Sequence, residues 1–398
     1  MLKNMVKGIV IGASMFALAG TAGAANYHVN LYGASAQFKY WTGQAEPFLA
    51  GYDTGCIGNV EQAEDASGKH GIAKCVTTTD TYIIRYSSKA SYDGIYALRG
   101  EDPYDSNAAS GCADDERLMA NDVAGSAIVG GLTCQNVNLA ASDVSGTTFV
   151  QKSEGQLAYD DTSSYESRSF NGVPIPSTFN TYRPIIVPFG FFANSELNFD
   201  SLSRLQAVLL FSGQIQRWDF FPGGNAKPVC LCLRHAGSGT HATLDASVMR
   251  GEGNLPIKEN KTSLPLIWFN DGSGDEMGCV NENGGYGANV IAVGYADADQ
   301  ALKMPAGGGN SYLDTKPLDY QGIAPIAANI KNGLYDFWSS QWLFEDQNEA
   351  DYATNHDFIV ALEAFASDPA HNPNAYWATK DEMHVDKSSD WALPRKTD

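Results

Sequence analysis

Positive charge is scarce in this sequence: 26 Lys and Arg stand against 46 Asp and Glu, for a formal net charge of −20. Nucleic-acid backbones and anionic membrane surfaces are held by clustered cations, so this balance argues against either as a partner. The apolar run Gly8 to Leu18 falls well short of the roughly 20 residues that a membrane-spanning helix needs. None of the seven cysteines stands in CxxC or CxxCH spacing, which argues against zinc ribbons, thioredoxin chemistry and c-type haem. There is no Gly-x-Ser-x-Gly elbow, no His-Glu-x-x-His pair and no repeat of solenoid length.

What is present suffices for a large core. Hydrophobic residues make up 43% of the 398, which excludes wholesale disorder, and the length suits two lobes. Forty glycines without a Gly-X-Y period, together with 19 Tyr, point to many turns and a loop-rich exterior.

Residues 1–24 read as a cleavable export signal. Lys3 and Lys7 precede the apolar run, and Ala22-Gly23-Ala24 offers small residues for cleavage before Ala25. Thr21 follows Leu18-Ala19-Gly20 where a lipoprotein would carry Cys, so the expected location is periplasmic or secreted without a lipid anchor. Loss of the two lysines takes the charge to −22. In an exported chain the cysteines are expected as disulfides. Cys56/Cys75 and Cys112/Cys134 would each staple a Gly/Asp-rich excursion. Cys279 can meet Cys230 or Cys232, read as lying on opposite faces of one strand, and one thiol is left over.

Strand patterns occur at Tyr27 to Tyr32, Thr81 to Tyr86, Val137 to Ala140, Pro184 to Phe192, Val229 to Leu233 and Val290 to Tyr295. Helical patterns follow at Gln37 to Trp41, from Ile95, at Leu202 to Phe211, His241 to Met249 and Phe358 to Phe365. Residues 50–80, 100–136 and 150–180 read as polar insertions. The alternation gives an α/β class with largely parallel sheets.

Four of the strands end in small-residue turns: Ser35, Ser91, Ser142-Asp143 and Gly237-Ser238-Gly239-Thr240. Parallel α/β sheets bind ligands at such carboxyl ends. Glycines let the backbone approach an anion, helix-start N–H groups point at it, and hydroxyls add donors. No Lys follows the glycines, so the last turn is not a Walker motif.

These residues carry a resemblance. Leu31-Tyr32-Gly33-Ala34-Ser35-Ala36 with Trp41, Tyr86 to Ile95, Ala141-Ser142-Asp143, Val187-Pro188-Phe189 to Asn194, and Phe211-Ser212-Gly213-Gln214-Ile215-Gln216-Arg217-Trp218 run in the order seen in the phosphate-binding proteins of bacterial ABC transporters. Gly294-Tyr295, Gly333-Leu334-Tyr335 and Trp342-Leu343-Phe344 continue that order. The chain resembles a distant member of that family, of type II periplasmic-binding-protein architecture. The resemblance implies two α/β lobes, each a mostly parallel sheet flanked by helices, joined by two hinge crossovers: lobe 1 from 25–186 and 297–398, lobe 2 from 187–296. It implies capture of an inorganic oxyanion, phosphate first, for an ABC permease, by a monomer with no cofactor, metal or catalytic residue. The anion contacts it implies fall on Ser35, the N–H of Ala36, Ser91, Asp143, Arg234, Ser238, Gly239 and Thr240. Ala236 departs from the family pattern, which carries Asp there, so Asp143 alone would accept the proton of hydrogen phosphate and repel sulfate.

Three other readings bear on the same residues. His235 and His241 beside a Ser-rich turn raise a secreted phosphate-ester hydrolase or a metal site. Asp271-Gly-Ser-Gly-Asp275 with Glu282 resembles part of a calcium loop, although Glu276 occupies the expected glycine position; Asp297-Ala298-Asp299 reads as a solvated face. A secreted surface or interaction protein on the same fold, without transport, is the alternative function.

Overall fold

The computed structural model describes residues 25–52, 55–103, 110–153, 168–169, 172–251 and 255–397, so residues 1–24, read above as an export signal, lie outside the described residues. The first lobe is a seven-stranded sheet in the order Phe179–Tyr182, Trp342–Asp346, Leu139–Ser142, Ala25–Gly33, Asp80–Ser88, His70–Val76, Glu61–Glu64. Ala25–Gly33 runs parallel to both neighbours, and every pairing further out is antiparallel. Parallel neighbours require a crossover, which Phe38–Tyr52 and Ser91–Leu98 help supply, whereas Glu61–Glu64, His70–Val76 and Asp80–Ser88 are joined as hairpins and Trp342–Asp346 arrives from the other lobe. The sheet is therefore mixed and not mostly parallel.

The second lobe follows the path Ser201–Leu202, Thr315–Tyr320, Ile185–Asn194, Ile291–Asp297, Val229–Arg234, Leu266–Asn270. Its last three strands are mutually parallel, while Ile185–Asn194 is antiparallel to both neighbours. The helix Arg204–Phe211 beside them opens on a reciprocal cap between Ser203 and Gln206. That pairing satisfies two N–H groups that a helix start otherwise leaves unpaired.

The two lobes share one strand. Ile185–Asn194 is buried along its whole length; its first residues pair with Trp338–Ser340 and Ala378–Thr379, and its later ones with Ile291–Asp297 and Thr315–Tyr320. The chain returns through Trp338–Ser340 into Trp342–Asp346 of the first sheet. The residue pattern predicts this return at 297. Because Thr315–Tyr320 hydrogen-bonds into the second sheet, residues up to Phe337 go with the second lobe.

The polar insertions contribute strands, among them Phe179–Tyr182 at the edge of the first sheet. The 50–80 segment adds the hairpin Glu61–Glu64/His70–Val76, and 100–136 contains the hairpin Glu116–Ala124/Ala127–Asn136. Arg117 anchors the second one, reaching Asp93 at 2.8 Å with both side chains buried. The disulfides are Cys56–Cys75, Cys112–Cys134 and Cys232–Cys279, with Cys230 a buried thiol. Cys230 and Cys232 lie two apart on a strand, so period-two alternation puts them on one face, correcting the expectation of opposite faces. Both pack with Cys279 and Met277.

Candidate functional site

Close backbone packing creates the first-lobe side of the site. Gly33 has φ 136°, and a Cβ there would lie 2.2 Å from the Ala141 carbonyl oxygen, so only glycine lets the first turn sit against the third. Ala34 N–H donates to that same carbonyl at 3.0 Å. Ser35 then starts a short helical turn leading into Phe38–Tyr52. Ser91 is the first residue of its helix, one turn earlier than the sequence pattern suggests, and its Oγ accepts from Asp143 N–H at 3.1 Å.

The second lobe contributes the end of Val229–Arg234 and the turn beyond it. Ser238 Oγ accepts from His241 N–H at 3.4 Å as an N-cap, and Gly239 opens a helical segment that runs to Met249. Thr240 Oγ1 donates to Asp143 Oδ2 across the lobes at 3.2 Å. A Cβ on Gly239 would stand 2.4 Å from Ser91 Oγ and 2.6 Å from Asp143 Cβ. Ser91, Asp143, Gly239 and Thr240 therefore meet at one contact between the lobes.

Arg234, 1% exposed, is held from three sides. Its N–H donates to Tyr295 Oη at 3.1 Å, Nη2 to the Asp271 carbonyl at 2.6 Å and Nη1 to Ser273 Oγ at 3.2 Å. Ser273 Oγ in turn lies 3.3 Å from Ser35 Oγ. Ser35, Ala36 and Ser273 line a cleft of about 260 Å³ between the lobes, with Lys39, Lys69 and Asp297 among its walls. Ala36 itself is buried. Ala236, which stands where the resembled family has Asp, is buried, and its N–H donates to Ser153 Oγ at 2.6 Å.

The segment read as part of a calcium loop is a fifth strand-to-helix turn. Leu266–Asn270 ends in Asp271-Gly272, and Ser273–Asn281 is a helix. Asp271 lies between Lys89 of the first lobe, at 2.7 Å, and the His235 ring, at 3.5 Å. Burial opposes its charge, but those two neighbours more than offset burial and hold its carboxyl well below the usual range. Lys69 to Asp275, at 3.7 Å, is a second ion pair between the lobes. Ser273 is legible as another small-residue turn after a strand, a signal obscured by the carboxylates around it. Asp297, read as solvated, is 3% exposed.

Burial dominates the electrostatics. It pushes the Asp143 carboxyl up to about 7, against the pull of Arg234 and Thr240. It raises Glu276 well above the ordinary range, again with Arg234 opposing, and lowers His241 to about 3 with help from His235 and Arg234. Both histidine rings are tied into the framework, His241 Nδ1 to Tyr295 Oη at 2.5 Å and His235 Nδ1 accepting from Gly237 N–H at 3.1 Å. Several buried polar atoms in this neighbourhood have no protein partner: Arg234 Nε, Asp143 Oδ1 and Glu276 Oε2.

No family model matches the chain. The chain is similar in structure to phosphate-binding proteins. An ABC-type phosphate transport receptor from Vibrio cholerae aligns at 14% identity over 84% of this chain and 93% of its own, with a TM-score of 0.43. A high-affinity periplasmic phosphate-binding protein solved with phosphate aligns at 14% identity over 86% and 88%, TM-score 0.48. The phosphate-binding protein from Stenotrophomonas maltophilia aligns at 12% identity over 84% and 83%, TM-score 0.44. No helix among the described residues is long and apolar enough to cross a membrane.

Proposed function

We propose that this protein is an exported solute-binding protein that takes a tetrahedral oxyanion, phosphate first, between its two lobes and delivers it to an ABC-type permease. The observation that carries this reading is the set of buried, unpartnered polar atoms around Arg234: the Nε donor with Asp143 Oδ1 and Glu276 Oε2. Leaving such groups unpaired costs about 1–3 kcal/mol each, and a hydrogen phosphate would meet two of them, offering an acceptor oxygen to Arg234 Nε and its one proton to Asp143. Arg234 would face the oxygens as a charged donor. The hydroxyls of Ser35, Ser91, Ser238 and Thr240, with the N–H groups of Ala36 and Gly239, complete the proposed contact set, and Asp143 receives the proton.

Closure is the proposed mechanism: Thr240 to Asp143, Lys89 to Asp271 and Lys69 to Asp275 all join one lobe to the other. A thermal-shift panel of phosphate, arsenate and sulfate tests the reading, since a ligand of the folded form stabilises by RT ln(1 + [L]/Kd). Phosphate should raise the unfolding midpoint in a saturable way; no shift with any of the three overturns it. A second reading, a secreted interaction protein on the same fold, draws on the disulfide-stapled hairpin Glu116–Asn136, whose second strand is largely solvent-facing. The same panel separates the two.

A further inference from the structure

We infer that Glu276 is a further ligand-contacting residue, donating the proton of its carboxylic acid to one oxygen of the bound anion. This rests on the oxyanion reading above and concerns the same site.

A fork between two strands places the carboxyl. Val229–Arg234 and Ile291–Asp297 pair over Val229–Leu231 and Ile291–Val293 and part beyond them. Glu276, one turn into the helix Ser273–Asn281 and fully buried, reaches into that fork, and its Oε1 accepts from Tyr295 N–H at 2.8 Å. Gly294 leaves the room, since a Cβ there would lie 3.0 Å from Glu276 Oε1 and 3.1 Å from the Cys232 carbonyl oxygen. Arg234 is the last residue of one parting strand, the end at which parallel sheets take ligands. The same framework holds both groups: Tyr295 Oη accepts from Arg234 N–H at 3.1 Å, and Ser273 Oγ, at the start of the Glu276 helix, accepts from Arg234 Nη1 at 3.2 Å. Yet the two are not joined. Arg234 directs its Nη donors to the Ser273 hydroxyl and the Asp271 carbonyl, and neither its Nε nor Glu276 Oε2 has a protein partner. A buried cation and a buried carboxyl, near enough to interact electrostatically, are left unpaired, and one oxyanion between them would satisfy both.

Glu276 meets an anion only as the neutral acid. With one N–H partner and no paired cation, a negative charge at this depth is uncompensated, and a carboxylate would repel phosphate. The proton that a hydrogen phosphate offers goes to Asp143, so Glu276 cannot be its acceptor; as the acid it supplies an O–H donor instead. Its surroundings favour that form. Burial raises Glu276 well above the ordinary range, Asp297 adds to the effect and Arg234 opposes it. Of the elements packed against its helix, Val229–Arg234 brings the Arg234 guanidinium and the Cys230 thiol, which burial keeps protonated, and Ile291–Asp297 brings Tyr295 and Asp297. Leu266–Asn270, Ile185–Asn194 and Asn283–Gly285 carry no titratable residue, and Asp275 stands on the helix itself. Asp297 is hydrogen-bonded to the Asp299 carboxyl and needs nothing from the ligand. Asp143 and Glu276 thus play opposite parts toward one anion, the first accepting from it and the second donating to it.

The test is calorimetric titration of the full chain with inorganic phosphate, in wild type, Glu276→Met and Glu276→Gln. Methionine fills a similar volume without a donor and should weaken binding about tenfold or more at neutral pH. Glutamine supplies an amide N–H where the acid has its O–H and should recover most of that loss. Raising the pH should weaken wild type relative to Glu276→Gln, because a carboxyl with a raised value gives up its donor proton on the alkaline side and an amide does not. Glu276→Met binding as tightly as wild type overturns the inference, as does Glu276→Gln binding as weakly as Glu276→Met; in either case the oxyanion reading stands. Absence of heat with wild type removes both. Should Glu276→Met fail to fold, the affinity of wild type relative to Glu276→Gln decides alone: a ratio that falls as the pH rises supports the inference, and a constant one overturns it.

Discussion

Replacing Gly239 by alanine puts one methyl group where the two lobes meet. The added carbon would lie 2.4 Å from Ser91 Oγ, 2.6 Å from Asp143 Cβ and 3.0 Å from Asp143 Oδ2. Carbon atoms in contact keep roughly 3.5–4.0 Å, so about 1 Å must be found. The Ser91 hydroxyl can rotate away, but Asp143 Cβ is fixed to its backbone and yields only if the lobes separate. Overpacking of this kind costs about 1–3 kcal/mol. Here the cost falls on the closed arrangement alone, because Gly239 and Asp143 belong to different lobes and an opened hinge relieves it. Affinity for phosphate should therefore drop about 5- to 150-fold by calorimetry, while the unfolding midpoint without ligand stays near that of wild type. Gly274→Ala is the matched control in the same cleft, with nothing within 4 Å of its added carbon, and should bind as wild type does. Solution scattering should show a larger radius for Gly239→Ala in the presence of ligand. A Gly239→Ala protein with wild-type affinity and an unchanged radius would refute closure through this contact.

Asp143→Asn should change stability with a defined pH signature. The folded carboxyl is raised from 3.8 to about 7, so its contribution is full below 3.8 and is lost as pH rises through about 7. At 1.36 kcal/mol per pH unit the loss is on the order of 4 kcal/mol. Measured against wild type, the variant without ligand should gain in unfolding midpoint above neutrality and lose that gain as the pH falls toward 4; a pH-independent difference contradicts the assignment. Using the difference between variant and wild type cancels the opposite trend from His241, whose lowered value costs stability as pH falls below its ordinary 6.5. Cys232→Ser should keep three disulfides. The sulfurs of Cys230, Cys232 and Cys279 lie within 4.8 Å of one another, so Cys230 can take the vacated partner during oxidative folding. Mass spectrometry after thiol alkylation checks this, and finding Cys230 and Cys279 both alkylated counts against it.

The elements with strong periodicity are legible from the residue pattern alone. Tyr27 to Tyr32, Thr81 to Tyr86 and Val137 to Ala140 all fall on central strands, and the turns behind them bring Ser35, Ser91 and Asp143 to the interlobe face. The strand Thr315–Tyr320 is not legible, because Thr-Lys-Pro-Leu-Asp-Tyr carries a proline and two charges and gains its place only by pairing beside Ile185–Asn194. Its absence from the pattern displaces the lobe boundary. The hairpin Glu116–Asn136 mixes apolar and polar residues without a clean period; the Cys112–Cys134 staple is legible from the spacing, but the buried Arg117–Asp93 pair that also fixes it is not. Asp297 misleads for a similar reason: its burial arises from strands and helices distant in sequence. Ser273 is hidden by its own neighbours, since acids at 271 and 275 suggest a cation until Lys89 and Lys69 are seen beside them.

Arg234 is the proposed organiser of an anion site between the lobes, and a calorimetric titration of wild type and Arg234→Lys with inorganic phosphate at neutral pH tests that role most directly. Lysine keeps the charge but loses the planar fork and the Nε donor. Wild type should bind saturably at one to one, and the variant at least about tenfold more weakly. Absence of heat with the wild-type protein, or equal affinity in the two, would contradict it.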